Sequence, residues 1–171
     1  MQTFLPYNDF LYTAQVLDNK RLGKQRVEAW QVLRALRGET KGWVNHPATV
    51  MWRGCEQSLI MYGLLICDEW QKRGFKDSLY EKFRAEWKNG KDLREPWWLG
   101  FEPLHTSHQS NLYRKDANYY KNFSVAPYDL PYVWCHPDGT YHLGTDKKLY
   151  AGYLHSETNN IEFHMSKADS K

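Results

Sequence analysis

The residues best suited to chemistry lie in the segment Leu17–Ala29 and in the turn Gly42–Pro47, one helix later. The first segment reads Leu-Asp-Asn-Lys-Arg-Leu-Gly-Lys-Gln-Arg-Val-Glu-Ala, which places the carboxylate of Glu28 on a predicted helix crowded with cations. Lysine and arginine side chains bind phosphates, and a carboxylate transfers protons or stabilises a developing positive charge. The pattern therefore indicates chemistry on a polyanion, with Glu28 as the reacting acid.

The distribution of charge favours a polyanionic partner more clearly than the total charge does. The 171-residue chain has a net charge of only +3, but residues 13–53 hold eight Lys and Arg against three acids. Aromatic residues make up 16% of the chain, including 8 Trp and 12 Tyr. Some of these rings build the core, and rings left at the surface suit stacking on nucleobases or an interface between subunits.

Cysteine usage and the absence of targeting signals predict an intracellular, cytoplasmic protein. We also expect it to associate with the nucleoid and to be a monomer. Cys55, Cys67 and Cys135 are odd in number and far apart, which argues against a disulfide framework and against a zinc knuckle. No apolar run is long enough for a membrane span, and the first residues lack the regions of a signal peptide. We therefore expect free thiols and no membrane partner.

Hydrophobic spacing predicts a mainly α-helical fold, a single-domain helical bundle in which residues 1–95 form the helical core and carry the candidate site. The first helix is expected over residues 9–37 and ends at Gly38. Gly23 within it would allow a bend or a close backbone approach. At 100° per residue, Glu28 falls at the edge of the apolar stripe, where core meets solvent.

Two further helices are predicted in this helical core. A second helix begins at Pro47, since proline fits a first helical turn, and runs to Trp70, with Gly74 beyond its end. A third helix follows a capping box formed by Ser78 and Glu81.

The C-terminal part is predicted to be different in character. Residues 96–155 should hold long aromatic and histidine-rich loops, a fourth helix over 105–120 and a short β-hairpin over 132–143 around a Pro-Asp-Gly turn. The polar residues 156–171 are expected to fray. No repeat or linker interrupts the chain, so one domain over 1–171 is the prediction.

The segments that carry the candidate chemistry resemble the pyrimidine-dimer DNA glycosylase and abasic-site lyase family, of the T-even phage endonuclease V type. Bacterial members carry Leu-Asp-x-Lys-x-Leu, then Glu-Ala, then Gly-x-Thr-Lys-Gly-Tyr-x-Asn-His-Pro. The same frame is read here, without a gap, at Leu17–Leu22, Glu28-Ala29 and Gly38–Pro47. The resemblance covers about the first third of the chain.

The resemblance implies a DNA glycosylase with abasic-site lyase activity on damaged or modified pyrimidines in double-stranded DNA. The α-amine of residue 1 would form a Schiff base with the deoxyribose, and β-elimination would then nick the strand. Met1 is expected to be retained because Gln2 is bulky. The resemblance thus implies Met1 and Glu28 as the catalytic residues, and it implies no metal and no cofactor.

A larger set of residues is expected to contact DNA. The cations would bind phosphates, Trp43 and His46 would line the pocket of an extruded nucleotide, and residues 105–115 would offer ring, amide and cationic donors. The set comprises Arg21, Lys24, Arg26, Trp43, Asn45, His46, His105, His108, Asn111, Arg114 and Lys115.

Each candidate also has a purely structural interpretation. Glu28 would simply pair with Lys24 at helical spacing, where such pairs contribute little stability. The cations would be an ordinary solvated face, and the turn 45–47 would be no more than a helix cap. His105 and His108 stand at i, i+3, but no well-spaced third metal ligand follows.

Two alternative functions stay open at this point. Val27 stands where the family commonly has Arg, and the segment before Glu28 is longer than in relatives, which favours a glycosylase for a modified base other than the photodimer. A non-catalytic nucleic-acid-binding protein on the same scaffold is the second alternative, and activity on lesion DNA would separate it from an enzyme.

Overall fold

The structure is a computed structural model that describes residues 1–152. Six α-helices precede a three-stranded antiparallel sheet in this range, which confirms the predicted mainly α-helical fold. The helices are α1 (Phe10–Val16), α2 (Asn19–Leu36), α3 (Pro47–Val50), α4 (Glu56–Lys72), α5 (Tyr80–Glu86) and α6 (Glu102–Lys115). A 3-10 turn, Lys121–Phe123, follows, and the strands are β1 (Val133–Cys135), β2 (Thr140–Leu143) and β3 (Tyr150–Ala151).

The predicted first helix is two helices, because the chain is extended at Leu17 and Asp18. The Asp18 carboxylate accepts a hydrogen bond from the Arg21 N–H at 3.0 Å and so caps α2. An aspartate cap satisfies a donor that would otherwise stay unpaired at the helix start. The end of α2 is as predicted, since Gly38 follows it with a φ of 71°.

The predicted second helix is also interrupted. From Pro47 the chain makes one turn of helix, α3, and Gly54, at a φ of 80°, then redirects the backbone into α4. This left-handed conformation suits glycine, which has no Cβ to clash. The stop of α4 is confirmed, because Gly74 follows it with a φ of 88°.

The capping box predicted for the third helix is wrong. The carboxylate of Asp77, one residue before Ser78, accepts hydrogen bonds from the N–H groups of Leu79 at 3.1 Å and Tyr80 at 2.9 Å. Asp77 also pairs with Arg26 of α2. Asp77 therefore caps α5 and links it to α2, and it takes the place that the prediction gave to Ser78.

The C-terminal hairpin is confirmed, with Trp134 of β1 opposite His142 of β2. Its turn contains Gly139 at a φ of 86°. A third strand, β3, extends the sheet and places Tyr150 opposite Tyr141, which the sequence did not predict. The tail predicted to fray, residues 156–171, lies outside the described residues.

One hydrophobic core joins the helices to the sheet. It contains Leu5 of the N-terminal segment, Leu22 of α2, Ile66 of α4 and Trp134 of β1. At Gly23 the predicted close approach is confirmed, because an added Cβ would lie 2.9 Å from the Trp70 ring. No helix in residues 1–152 is long and apolar enough to cross a membrane.

The first residues of the chain run extended through this core without a neighbouring strand. Buried backbone N–H and C=O groups must still be paired, and here the partners are side chains. The Phe4 N–H donates to Gln25 Oε1 at 2.8 Å, and the Leu5 N–H donates to His108 Nδ1 at 2.7 Å. The N-terminal segment, which we define as residues 1–6, is therefore fixed by groups from α2 and α6.

Further side chains complete this arrangement. His105 Nδ1 donates to the Leu5 carbonyl at 2.8 Å, and Gln109 Nε2 donates to the Pro6 carbonyl at 2.8 Å. The predicted fourth helix corresponds to α6, which begins earlier than predicted. Its histidines face inward, toward the N-terminal segment.

His108 and Asn111, which were expected among the donors that residues 105–115 offer to DNA, are instead buried. His108 is fully buried, and Asn111 Nδ2 donates to the carbonyls of Ser107 at 2.7 Å and Leu130 at 3.2 Å. His108 Nδ1 and Asn111 Nδ2 bind main-chain groups, and the side chains of His105, His108 and Asn111 are buried and not available at the surface for DNA.

Stability should depend on pH through His108. Burial, followed by the nearby His105, lowers the pKa of His108 to about 3, against about 6.5 in an unfolded chain. The unfolded chain therefore binds the proton more readily, and stability is lost as pH falls from 6.5 towards 3. From about pH 7 to about pH 5 we expect a loss of about 2 kcal/mol from this group.

Urea denaturation at a series of pH values measures this slope. In His108→Asn the amide oxygen can replace Nδ1 as acceptor for Leu5, so the variant should fold and show a flatter pH dependence. Identical slopes in the two proteins would show that His108 is not the group that titrates.

Candidate active site

A pocket of about 400 Å³ lies where the N-terminal segment meets α2. This volume is within the range of small-ligand sites. Met1 and Glu28 line it together with the rings of Tyr132 and Trp134. Its cationic lining consists of Lys20, Arg21, Lys24 and Lys115.

The Glu28 carboxylate is 7% exposed and each of its oxygens has defined partners. Oε2 accepts hydrogen bonds from Gln25 Nε2 at 3.0 Å and from the Gln2 N–H at 3.4 Å. Oε1 lies 3.5 Å from Lys24 Nζ and 4.0 Å from the α-amine nitrogen of Met1. One oxygen is therefore held by amides of the protein, while the other faces two amines.

Met1 is anchored by its side chain. That side chain is 2% exposed, whereas the residue as a whole retains part of its surface. The accessible part is therefore the main chain, which carries the α-amine. A neutral amine beside a carboxylate is a nucleophile for the carbonyl carbon of a sugar aldehyde.

Gln25 couples the N-terminal segment to Glu28. It is fully buried, and its Oε1 accepts hydrogen bonds from the Phe4 N–H at 2.8 Å and the Tyr62 hydroxyl at 2.7 Å. Its Nε2 donates to the Gln2 carbonyl at 2.9 Å as well as to Glu28. One amide thus sets the position of both the amine-bearing segment and the carboxylate.

The cations around the pocket concentrate positive charge. Arg21 is held by Asp18 at 3.2 Å and by the Lys115 carbonyl, also at 3.2 Å. Burial lowers the pKa of Lys115, and the positive charges of Arg21, Lys24 and Arg114 lower it further. A bound anion would relieve this repulsion, so the cluster suits phosphate.

The turn at Asn45 and His46 lies beside the pocket. His46 Nδ1 accepts the Ala48 N–H at 3.1 Å and caps α3, as one interpretation of the sequence expects. Its ring also contacts Trp134 edge-on, with 5.8 Å between centroids. Burial and the positive N-terminus lower the pKa of His46, which favours a neutral ring. Asn45 Oδ1 instead accepts from Arg53 at 3.2 Å.

Arg26 and Arg114, which were also predicted to contact DNA, are held by groups outside the pocket lining. Arg26 pairs with Asp77 and lies 4.5 Å from the Trp70 ring centroid, and it is not part of the pocket lining. Arg114 Nη1 donates to the carbonyls of Tyr128 and Leu130, at 3.1 Å each, and keeps an exposed surface. Of the predicted set, the pocket lining unites Met1, Arg21, Lys24, Glu28 and Lys115.

Five residues that line the pocket were not among the predicted site residues: Gln2, Phe4, Lys20, Tyr132 and Trp134. Tyr132 and Trp134 could have been found, because residues two apart in an extended chain point to the same side. Burial raises the pKa of Tyr132 to about 12, so its hydroxyl stays protonated. Gln2 carries a buried Nε2 without a hydrogen-bond partner among the described residues.

Part of this site lies in a stretch that is similar to a class of DNA repair enzymes, the DNA glycosylases. Residues 1–81 match the model of the family described as pyrimidine dimer DNA glycosylase. The match covers a little under half of the 171-residue chain, and over that stretch the chain is similar to the family. It covers α1 to α4 with Met1 and Glu28, whereas Lys115, Tyr132 and Trp134 lie beyond it. No curated protein and no solved structure matches the chain.

Removing the Gln25 amide should destabilise the fold. In Gln25→Leu the buried Phe4 N–H and Gln2 carbonyl lose their partner, so we expect the free energy of unfolding to fall by about 3 kcal/mol. Gln31→Leu is the matched control, since Gln31 lies exposed on the same helix. Urea denaturation compares the two, and equally small losses would contradict a central role for Gln25.

Proposed function

We propose that the protein is a DNA glycosylase with abasic-site lyase activity, acting on damaged or modified pyrimidines through the Met1 α-amine. The observation that carries this proposal is the 4.0 Å separation of the α-amine nitrogen from Glu28 Oε1. The pair lies in a cation-lined pocket and within the residues that match the glycosylase family.

The chemistry assigns one role to each member of this pair. The neutral amine attacks C1′ of the deoxyribose, and the base leaves with the electrons of the glycosidic bond. Glu28 accepts the proton that the amine loses and returns it to O4′ as the sugar ring opens, which gives a protonated Schiff base, while the departing base takes a proton from water. The negative carboxylate also stabilises the positive charge that develops on the sugar.

Strand cleavage follows from the same intermediate. Glu28, which is again a carboxylate, accepts a C2′ proton, and the 3′ phosphate departs with the electrons of the C3′–O bond, which completes the β-elimination. Arg21, Lys24 and Lys115 hold the flanking phosphates, and their positive field stabilises the phosphate that leaves.

A base inside a duplex is not accessible to the amine. Enzymes that act on a base therefore extrude the nucleotide from the stack into a pocket. Tyr132 and Trp134 offer ring surfaces for such a nucleotide, with 5.4 Å between their centroids. Their side chains lie on the same pocket as Glu28, so a bound sugar can meet the amine and the rings together.

Borohydride trapping tests the amine. With a duplex that contains one abasic site, reduction should leave the DNA attached to the α-nitrogen of Met1, as located by mass spectrometry of peptides. Acetylation of the N-terminus should abolish the adduct. An adduct on Lys24 or Lys115 would reject Met1 as the nucleophile, and DNA binding without any adduct would favour a non-catalytic binding protein.

Glu28→Gln tests the carboxylate, because it preserves shape and removes the charge. We expect turnover on abasic DNA to fall by about 100-fold or more, with DNA affinity kept or raised because a negative charge near phosphate is removed. Glu39→Gln makes the same chemical change at an exposed position after α2 and should retain full turnover. Equal turnover of both variants would reduce Glu28 to a structural residue.

A further inference from the structure

Trp43 has a combination of properties that packing among residues 1–152 does not explain. It is 52% exposed and has a φ of 65°. Bulky residues rarely adopt a positive φ, because the side chain crowds the backbone, and the conformation costs free energy. A half-exposed ring recovers little of that cost through burial.

The loop around Trp43 is held in place. The Trp43 carbonyl accepts the His46 N–H at 3.0 Å, and Arg53 Nη2 donates to the Val44 carbonyl at 3.1 Å. The Thr40 hydroxyl donates to the Gly42 carbonyl at 3.3 Å. These hydrogen bonds fix the loop that carries the half-exposed Trp43 ring, and the backbone keeps its positive φ there.

The position of the ring relates it to the pocket. Its edge contact with His46 has a centroid distance of 5.1 Å, and His46 in turn contacts Trp134, which lines the pocket. Trp43 itself is not part of the lining. We expected from the sequence that Trp43 lines the pocket. In the structure Trp43 lies next to the pocket, and the His46 ring separates it from Trp134.

We propose that Trp43 enters the base stack of the duplex beside the nucleotide that the pocket takes up. This inference rests on the proposed function, since a nucleotide drawn into the pocket leaves a gap in the stack. An inserted side chain can separate base steps, and a flat ring recovers part of the lost stacking. The surface position of Trp43 next to the pocket fits such a role.

The test compares trapping on two DNA probes, a duplex with one abasic site and the same abasic strand alone. The single strand has no duplex stack to open. Trp43→Gly is the main variant, because glycine accepts the positive φ. Truncation of the Trp43 ring removes its stacking contact with a base, so we expect the trapping rate on the duplex to fall at least about 10-fold. The trapping rate on the single strand should stay unchanged.

Two further variants sharpen the result. Trp43→Phe retains a ring and should restore most of the duplex rate. Phe75→Ala truncates another partly exposed aromatic residue, which stacks on Trp70 and lies outside the pocket lining, and it should trap both probes like the wild type. A loss by Trp43→Gly that is equal on both probes would overturn the inference and give Trp43 a structural role.

A second readout separates this inference from the proposed function. With 2-aminopurine next to the abasic site, wild-type binding should raise the fluorescence as the base unstacks, and Trp43→Gly should not. If the wild type traps neither probe, the amine mechanism fails, whereas this fluorescence difference still decides the role of Trp43. Equal fluorescence in both proteins, or a wild-type dimer that Trp43→Gly converts to monomers, would overturn the inference.

Discussion

The burial of the N-terminal segment is the constraint on which the rest of the site depends. An extended strand without a neighbouring strand leaves its backbone groups unpaired unless side chains reach them. Gln25, His105 and His108 supply those partners from two helices. The core therefore contains amide and imidazole groups at positions where an ordinary helical bundle would have apolar side chains.

This constraint also determines the position of the α-amine. A chain terminus normally frays because few contacts hold it, but here the segment behind it is fixed and the Met1 side chain is buried. Gln25 binds that segment and Glu28 with the same amide. The amine and the carboxylate thus form one unit with the core. In the reaction that we propose, this arrangement reduces the entropy lost when the reacting groups are brought together.

The cationic side chains beside this unit are also held in place by hydrogen bonds. Asp18 orients Arg21 and is itself hydrogen-bonded to the Tyr120 hydroxyl, while the Lys115 carbonyl holds the other guanidinium nitrogen. Lys115 comes from α6, outside the family match, so the pocket is completed by the C-terminal part of the chain. The same part provides Tyr132 and Trp134, which give the pocket its aromatic surface.

The sequence by itself determined the helical class, the hairpin and the candidate pair of Met1 and Glu28, because helical periodicity, turn residues and a family motif are local signals. Only the tertiary structure decided which polar residues serve the core. Arg26 and Arg21 look alike in the sequence, yet one binds Asp77 and the other lines the pocket. In the sequence, His105 and His108 resemble surface donors, but in the structure they bind main-chain groups of the buried N-terminal segment. Their partners lie about 100 residues away in the chain, so no local pattern reveals the contacts.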